Sequence, residues 1–569
     1  MASLQRVRVG GRSYWRIVES RRIHGKPRAV PILHLGTADA LLDRLLQAPE
    51  GQLRIRSCQH GDVAALKAVA DRLGVVELID REVGRNYSGK ASVGATVLLG
   101  ALNRAIRPRS KRGWAGWAAG TSLDRLFPGL KTELLSSQFF WNQMDRVSLE
   151  ALRRIEGELT ERIVTELDLK LDTLFYDTTN FFTYIATTNR KPKLPQRGKS
   201  KQKRFDLRLF SLALLVARDG RIPLYAHVYE GNQVDSKRFP GSLTAIRERL
   251  AQLSIELQDV TLVYDKGNNS KANQAMVDAS QIGYVASLAP TQHADLLGIP
   301  VAQYQPVDSG RLKGVPVLRL QKDIWGQRRT VVLFISEQLQ AGQIRGLEQH
   351  LASRLRELTE WKQQLAKPRS GPRSPKAAEK KIDGLLSGQY LRQVLRIIYD
   401  ATRSGSGRLQ FWIDEDARSH LEREVFGKRI LITNRDAWSN EEIMLAYRGQ
   451  SEVEDVFRQT KDDEHLAVRP QYHWTDQKIH VHTFICLLGL ILARIVEWES
   501  RKLGRTEGLS ALLDLLGSVR LAMILRPSGK KGGRPRCQWQ LEEADPEILD
   551  YFLKLVPNQP PFVYTPPSP

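Results

Sequence analysis

Cysteine is scarce: only Cys58, Cys486 and Cys537 occur in 569 residues, far apart and in no C-x-x-C pair. That excludes a disulfide framework and a cysteine-rich zinc site, and it fits a reducing compartment. The opening string M-A-S-L-Q-R-V-R-V lacks the apolar core of a signal peptide. The longest charge-free apolar run, Thr483 to Ala493, is too short to span a bilayer and reads as a buried helix. A soluble, cytoplasmic protein is therefore expected. Long low-complexity tracts are also missing, which argues against wholesale disorder. Acids are in the minority, 63 Asp and Glu against 86 Lys and Arg, for a formal charge of +23 and a pI near 9.9. Such an excess makes a phosphate polymer the expected partner, through steering and counterion release. Charge alone does not separate a DNA-binding from an RNA-binding protein.

What is present is enough apolar surface for real cores, 41% of residues, in a chain long enough to split into three or four domains or subdomains. One stretch organises the reading. From Tyr447 to Lys461 the string Y-R-G-Q-S-E-V-E-D-V-F-R-Q-T-K has no proline, and Val453, Val456 and Phe457 recur at helical spacing. At roughly 100° per residue, Glu454 and Lys461 project to nearly the same angle, with Gln450 and Tyr447 beside them. An amphipathic helix over 447 to 461 would present an acid, a base, an amide and a phenol along one edge. A solvated surface helix is the ordinary alternative.

Two distant aspartates bear on that choice. Asp177 follows the β-favouring run Leu174-Phe175-Tyr176, and Asp265 follows Thr261-Leu262-Val263-Tyr264. Both acids are thereby expected at strand ends, where a sheet edge exposes them. The set formed by D-T-T at Asp177, Y-D-K-G at Asp265, and Tyr447, Glu454 and Lys461 resembles the DDE transposases of bacterial insertion sequences, in the group marked by a Y-R-E-K signature. That signature reads Y-x2-R-x3-E-x6-K, and Gln450 stands where it has arginine. The fold it implies is α/β, with a ribonuclease H-like catalytic core, a mixed sheet flanked by helices. A β-β-β-α-β-α-β order of elements from Leu171 onward agrees with it.

In chain order, residues 1–57 read as a small β module with turns at Gly10-Gly11 and Gly25-Lys26, which either holds DNA or caps the next domain. Residues 58–167 read as helical. There Arg104, Arg107, Arg109, Lys111 and Arg112 lie beside Trp114 and Trp117, either a phosphate-contacting surface or a solvated loop packed by its tryptophans. The N-R-x-x-x-P-x-S-K string also resembles a segment upstream of the first aspartate in some of these transposases, which favours DNA. Residues 168–288 hold the first part of the core. Within it the loop Arg190 to Arg204 carries eight cations, among them Lys199, Lys201, Lys203 and Arg204, and is expected to grip DNA. G-N-x-x-D at Gly231, Asn232 and Asp235 echoes the family as well.

The resemblance places a largely β insertion domain at 289–426, with a basic linker at 367–381, and the second part of the core at 427–520. His480 and His482 point apart on a helix and, with His473, read as packing histidines. Residues 521–569 read as a basic, Pro-rich tail in which Gly-Arg-Pro-Arg, within Gly529 to Arg536, is similar to an AT-hook.

The function this implies is a transposase that binds the inverted-repeat ends of its element, cleaves there, and joins 3′-hydroxyl ends to target DNA. Asp177, Asp265 and Glu454 would hold two magnesium ions, with manganese as a substitute, while Tyr447, Gln450 and Lys461 contact DNA. Its partners would be double-stranded DNA at transposon ends and target, bound by a homodimer or higher oligomer, and its place the bacterial cytoplasm on the nucleoid. The alternatives are a catalytically silent protein that represses at DNA ends, and a ribonuclease H-like nuclease unconnected with mobile elements.

Overall fold

The structure, a computed structural model, describes residues 2–23, 26–40, 42, 54–84, 91–132, 135–186, 188–198, 204–367, 374–462, 464–469, 471–526 and 536–557. Lys199, Lys201 and Lys203, most of the Gly529 to Arg536 string and the Pro-rich end lie outside the described residues.

The chain divides into two compact units, residues 1–68, 113–135 and 503–569 in one and 69–112 and 136–502 in the other. In the first unit β1 (Ala2–Val9), β2 (Arg12–Ile23) and β3 (Lys26–Thr37) form an antiparallel sheet. The Gly10-Gly11 turn between β1 and β2 takes positive φ at both residues, which glycine permits. β4 (Arg54–Gln59) leaves that module and pairs elsewhere, as described below. Trp114 and Trp117 belong to this unit too and are buried, so their rings pack the protein and offer no stacking platform.

The second unit is a mixed α/β structure built on one nine-stranded sheet. Its strands are β5 (Thr173–Thr183), β6 (Arg208–Ala217), β7 (Pro223–Glu230), β8 (Thr261–Tyr264) and β9 (Gly283–Ser287), followed by β10 (Gln305–Pro306), β11 (Pro316–Ile324), β12 (Gln327–Ile335) and β15 (Lys428–Thr433). The spatial order is β10-β11-β12-β15-β9-β8-β5-β6-β7. β6 runs antiparallel to both β5 and β7, and β5, β8 and β9 run parallel. This arrangement is consistent with a ribonuclease H-like core. Continuous burial of β6 and β8 explains their unbroken apolar runs, because both faces of the sheet are covered. On one face, Phe239 of the helix Asp235–Gln252 packs on Tyr176 and Tyr264. The helices Asn440–Arg448 and Gln450–Gln459 take the other.

The helix Asp476–Lys502 is long and apolar enough to cross a membrane, but nearly all of that apolar stretch is buried inside the chain, against the helix Val93–Ile106. His482 on it sits 3.0 Å from the Val468 carbonyl, and its ring centroid is 4.9 Å from that of His473. Burial holds both imidazoles well below their usual range.

Three expectations need correction. The segment 289–426 is not a largely β domain. β11 and β12 extend the main sheet, since β12 pairs with β15 over six residues, and the remainder is mostly helical. The helix Glu337–Leu365 anchors a small core there, Leu347, Leu351, Leu358, Trp361 and Leu365 packing with Leu391 and Leu409 beside one hairpin, β13 (Leu395–Tyr399) and β14 (Leu409–Ile413). The largely β domain was implied by the resemblance alone; the period over 337–365 is helical. The helical segment 58–167 is not one region, because 113–135 goes with the first unit. Nor is 521–569 wholly a tail. β16 (Arg520–Arg526) pairs with both β4 and β17 (Arg536–Leu541), and the helix Pro546–Leu555 buries Phe552 completely.

Candidate active site: the carboxylate edge of the central sheet

β5 and β8 lie side by side in parallel register, Tyr176 opposite Tyr264, so the next residue on each, Asp177 and Asp265, stands at the same level. Asp177 is not at the end of its strand, as the apolar run alone implies. β5 continues to Thr183 against β6, and it is β8 that stops, leaving Asp177 without a neighbour on that side. Side chains alternate along β5. Phe175 meets Gly449, and Thr179 and Phe181 meet Lys461, so Asp177 between them shares the face of the Gln450–Gln459 helix.

That helix is not one element from 447 to 461. It breaks at Gly449, between Asn440–Arg448 and Gln450–Gln459, and Lys461 lies beyond its end. Ser439 and Glu442 form a reciprocal capping box at the start of the first piece. Val453, Val456 and Phe457 bury the inner face of the second. Its outer acids are sorted by partner. Glu452 pairs with Arg221, and Asp455 takes Arg494 at 3.0 Å and Arg458. Glu454 is exposed, and no ion pair or hydrogen bond holds it among the described residues.

Asp177 feels the charge of the other two acids. Burial pushes the Asp177 carboxyl up to about 7, and the negative charges of Asp265, Glu454 and Asp235 add to the push against one hydrogen bond from the Thr178 amide. Asp265 is held differently. Its Oδ1 accepts the Ser287 hydroxyl at 2.5 Å and the Tyr447 hydroxyl at 3.2 Å. Tyr447 in turn accepts a hydrogen bond from Nη1 of Arg429 at 3.2 Å. Burial, then the charge of Asp265, pushes the Tyr447 phenol up to about 12.

Other expected contacts fall on both sides. Lys461 donates to Thr179 Oγ1 at 2.5 Å and lies over the Phe181 ring, at the edge of the acid cluster. Gln450 is 7% exposed and Tyr447 8%, so neither presents a free polar group to DNA; the phenol is engaged with Asp265 instead. Arg104 is 7% exposed and bonded to the chain near Ala467. Lys111 donates to or accepts from His473 at 2.9 Å and covers the Phe140 ring, and burial, with Arg104 beside it, lowers its amine to about 7. Neither is free for DNA: Arg104 is turned inward by the helix Val93–Ile106, and Lys111, in the turn Lys111–Gly113 after it, tucks its amine against His473 and Phe140. Arg107, Arg109 and Arg112 are exposed, as is Arg204, which is paired with Asp206 at 2.6 Å.

No family model matches the chain, and no curated protein matches it. Among solved structures it is similar to one titled as a cryo-EM structure of a piggyBac transposase synaptic complex with hairpin DNA, with a TM-score of 0.38 and 9% identity over 82% of each chain.

As placed, no three acidic, histidine or cysteine side chains among the described residues stand close enough to ligate one ion. The donor set nevertheless suits a hard cation. It is all carboxylate oxygen, two of the acids are fixed on adjacent strands, and the third is unpartnered and exposed. A divalent ion would offset the burial, and the smaller repulsion, that raise Asp177.

Two residues of this edge, Ser287 and Arg429, were not singled out from sequence. Ser287 and Arg429 come from β9 and β15 and meet Asp265 and Tyr447 only through sheet pairing, Leu431 opposite Ser287. Asp235 had a signal in the G-N-x-x-D string. Gly231 of that string is needed because a Cβ there would overlap the Leu209 carbonyl, and Asp235 accepts the Tyr229 hydroxyl at 2.8 Å. A separate cavity of about 1440 Å³ opens beside β7, lined by Arg153, Glu156, Tyr225 and Arg249 among others, but by none of the three acids.

Proposed function

We propose that this chain is a DNA transposase with a ribonuclease H-like catalytic core, in which Asp177, Asp265 and Glu454 form one phosphoryl-transfer site. The supporting observation is the parallel register of β5 and β8, which sets two of the acids level, together with the charge of Glu454 felt at Asp177. Those three residues would hold divalent cations, magnesium by oxygen preference, which when bound supply activation of the attacking oxygen and stabilisation of the leaving one.

The rest of the work falls to the chain. Ser287 and Tyr447 hold Oδ1 of Asp265 in place, leaving its other oxygen for the site. Glu454, unpartnered, is free to swing toward the two aspartates. Lys461, braced by Thr179, sits where an incoming DNA phosphate would pass the acids. Arg107, Arg109 and Arg112 add cations for the duplex. The same acids serve both cleavage at an element end and attack by the freed 3′-hydroxyl on target DNA, since both are in-line substitutions at phosphorus.

The test is to supply the full-length protein with duplex DNA carrying the inverted repeats that flank its coding region, a target plasmid and magnesium. Cutting at the repeats and covalent joining of their 3′ ends to the plasmid are expected. Cutting without joining would turn the reading toward a nuclease, and binding without cutting toward a silent repressor.

A further inference from the structure

Arg429 is the second residue of β15, the strand antiparallel to β9, so it stands at the end of the sheet where β9 finishes in Ser287 and β8 gives way to Asp265. The side chain is half-buried and held. Nη1 donates to the Tyr447 hydroxyl at 3.2 Å, and the guanidinium carbon lies 5.6 Å from the centre of the Tyr447 ring. Tyr447 extends the chain of hydrogen bonds by donating to Asp265 Oδ1.

An arginine so placed ordinarily ends on a carboxylate. This one does not: among the described residues no acid forms an ion pair with Arg429, and Nη1 to Tyr447 is its one hydrogen bond. The nearest acid is reached only through the phenol, which already gives its proton to Asp265. The guanidinium is thus fixed at one corner with most of its donor fork unused. A planar fork of N–H groups with no carboxylate matches a phosphate, which accepts two of them side by side. Neighbouring cations are accounted for. Lys428 turns the other way, its Nζ bonded to the Leu297 and Ile299 carbonyls, and Lys461 is braced by Thr179 of β5, away from Arg429's strand. Gln450, buried at the helix junction, brings no charge.

We propose that Arg429 is a phosphate-binding residue of this site, its free N–H groups receiving a backbone phosphate of the DNA next to the bond that is cut, and Tyr447 holding it at the correct distance from Asp265. This rests on the transposase reading above. It makes the fixed cation of the site a residue of the sheet, while the acid that completes the carboxylate set comes from the helix.

The experiment compares wild type, Arg429→Ala and Arg429→Lys on end duplexes whose phosphates near the cut are replaced one at a time by uncharged methylphosphonate. On unmodified DNA, Arg429→Ala should slow cleavage roughly ten- to hundredfold, the worth of a charge-assisted hydrogen bond, and Arg429→Lys should recover part of it. At one modified position the difference between wild type and Arg429→Ala should shrink to within about twofold, identifying the phosphate touched. A penalty that stays the same at every modified position, or no penalty at all, overturns the proposal. Because wild type must cleave the unmodified duplex for the comparison to exist, a wild type that never cleaves sinks the transposase reading instead. Melting temperatures of the three proteins separate a folding defect from the loss of phosphate binding.

Discussion

Gly449 and Phe175 are in contact where the helix pair crosses β5: a Cβ on Gly449 would stand 2.8 Å from Cε1 of the fully buried Phe175 ring. The absent side chain lets the helix approach the strand that carries Asp177 and sets the height of Glu454 above it. Gly449→Ala should destabilise the protein by about 1–3 kcal/mol, the usual cost of overpacking, and lower cleavage further than DNA binding. Urea denaturation and cleavage rates on one preparation would check both. Gly449→Ala in a Phe175→Leu background should recover part of the stability.

The orientation of the same helix depends on a buried cation. Arg494, with no side-chain exposure, bridges Glu497 at 2.6 Å and Asp455 at 3.0 Å, and Asp455 is the residue after Glu454. Replacing it by methionine removes the buried bridge and leaves Glu497 to Arg501, and Asp455 to Arg458 and Arg221, all nearer the surface. A loss of about 1–3 kcal/mol is expected, read from the denaturation midpoint. A loss below about 1 kcal/mol would show that water reaches the pair.

Much of this edge was legible beforehand, and the reason is local. Asp177, Asp265 and Glu454 each follow or interrupt an apolar pattern whose period identifies a strand or a helix, so the elements beside them could be read, though not that β5 runs on past Asp177 to Thr183. What the pattern does not carry is direction. Arg104 and Lys111 stand in a run of cations that reads as surface, yet Arg104 belongs to a helix buried nearly all round, and Lys111 folds back onto His473 and Phe140. Arg429 and Ser287 could not be found at all, because strands separated by some 140 residues must first pair, Leu431 against Ser287, before either meets Asp265. The break at Gly449 was hidden because its backbone stays near helical angles, φ −59 and ψ −14.

Lys111 provides a pH test. Its amine, ordinarily near 10.5, is lowered to about 7 by burial and by Arg104, so above pH 7 the folded chain lacks a proton that the unfolded chain keeps. Stability should therefore rise with pH through that window and be lost as pH falls back toward 7. Cys486, raised to about 11 by burial, acts in the opposite sense only above its ordinary value of 9.0. Between about pH 7 and about pH 8.5 the wild type should gain stability relative to Lys111→Met, measured by denaturant midpoints. Equal slopes would mean that Lys111 stays charged when folded.

The exposed and buried cations of 104–112 should separate cleanly. Arg107→Ala, Arg109→Ala and Arg112→Ala should each reduce the slope of log affinity against log salt by about 0.9 for every phosphate no longer neutralised, with little effect on melting. Arg104→Ala should lower the melting temperature and leave the slope unchanged.

The most direct test of a shared site is strand cleavage in magnesium by Asp177→Asn, Asp265→Asn and Glu454→Gln, each first shown to bind the end duplex as wild type does. If the three acids act as one unit, each single change should cost at least about a thousandfold, and combining two should cost no more than the worse single one. A variant that binds normally and cleaves within about tenfold of wild type would remove that acid from the site.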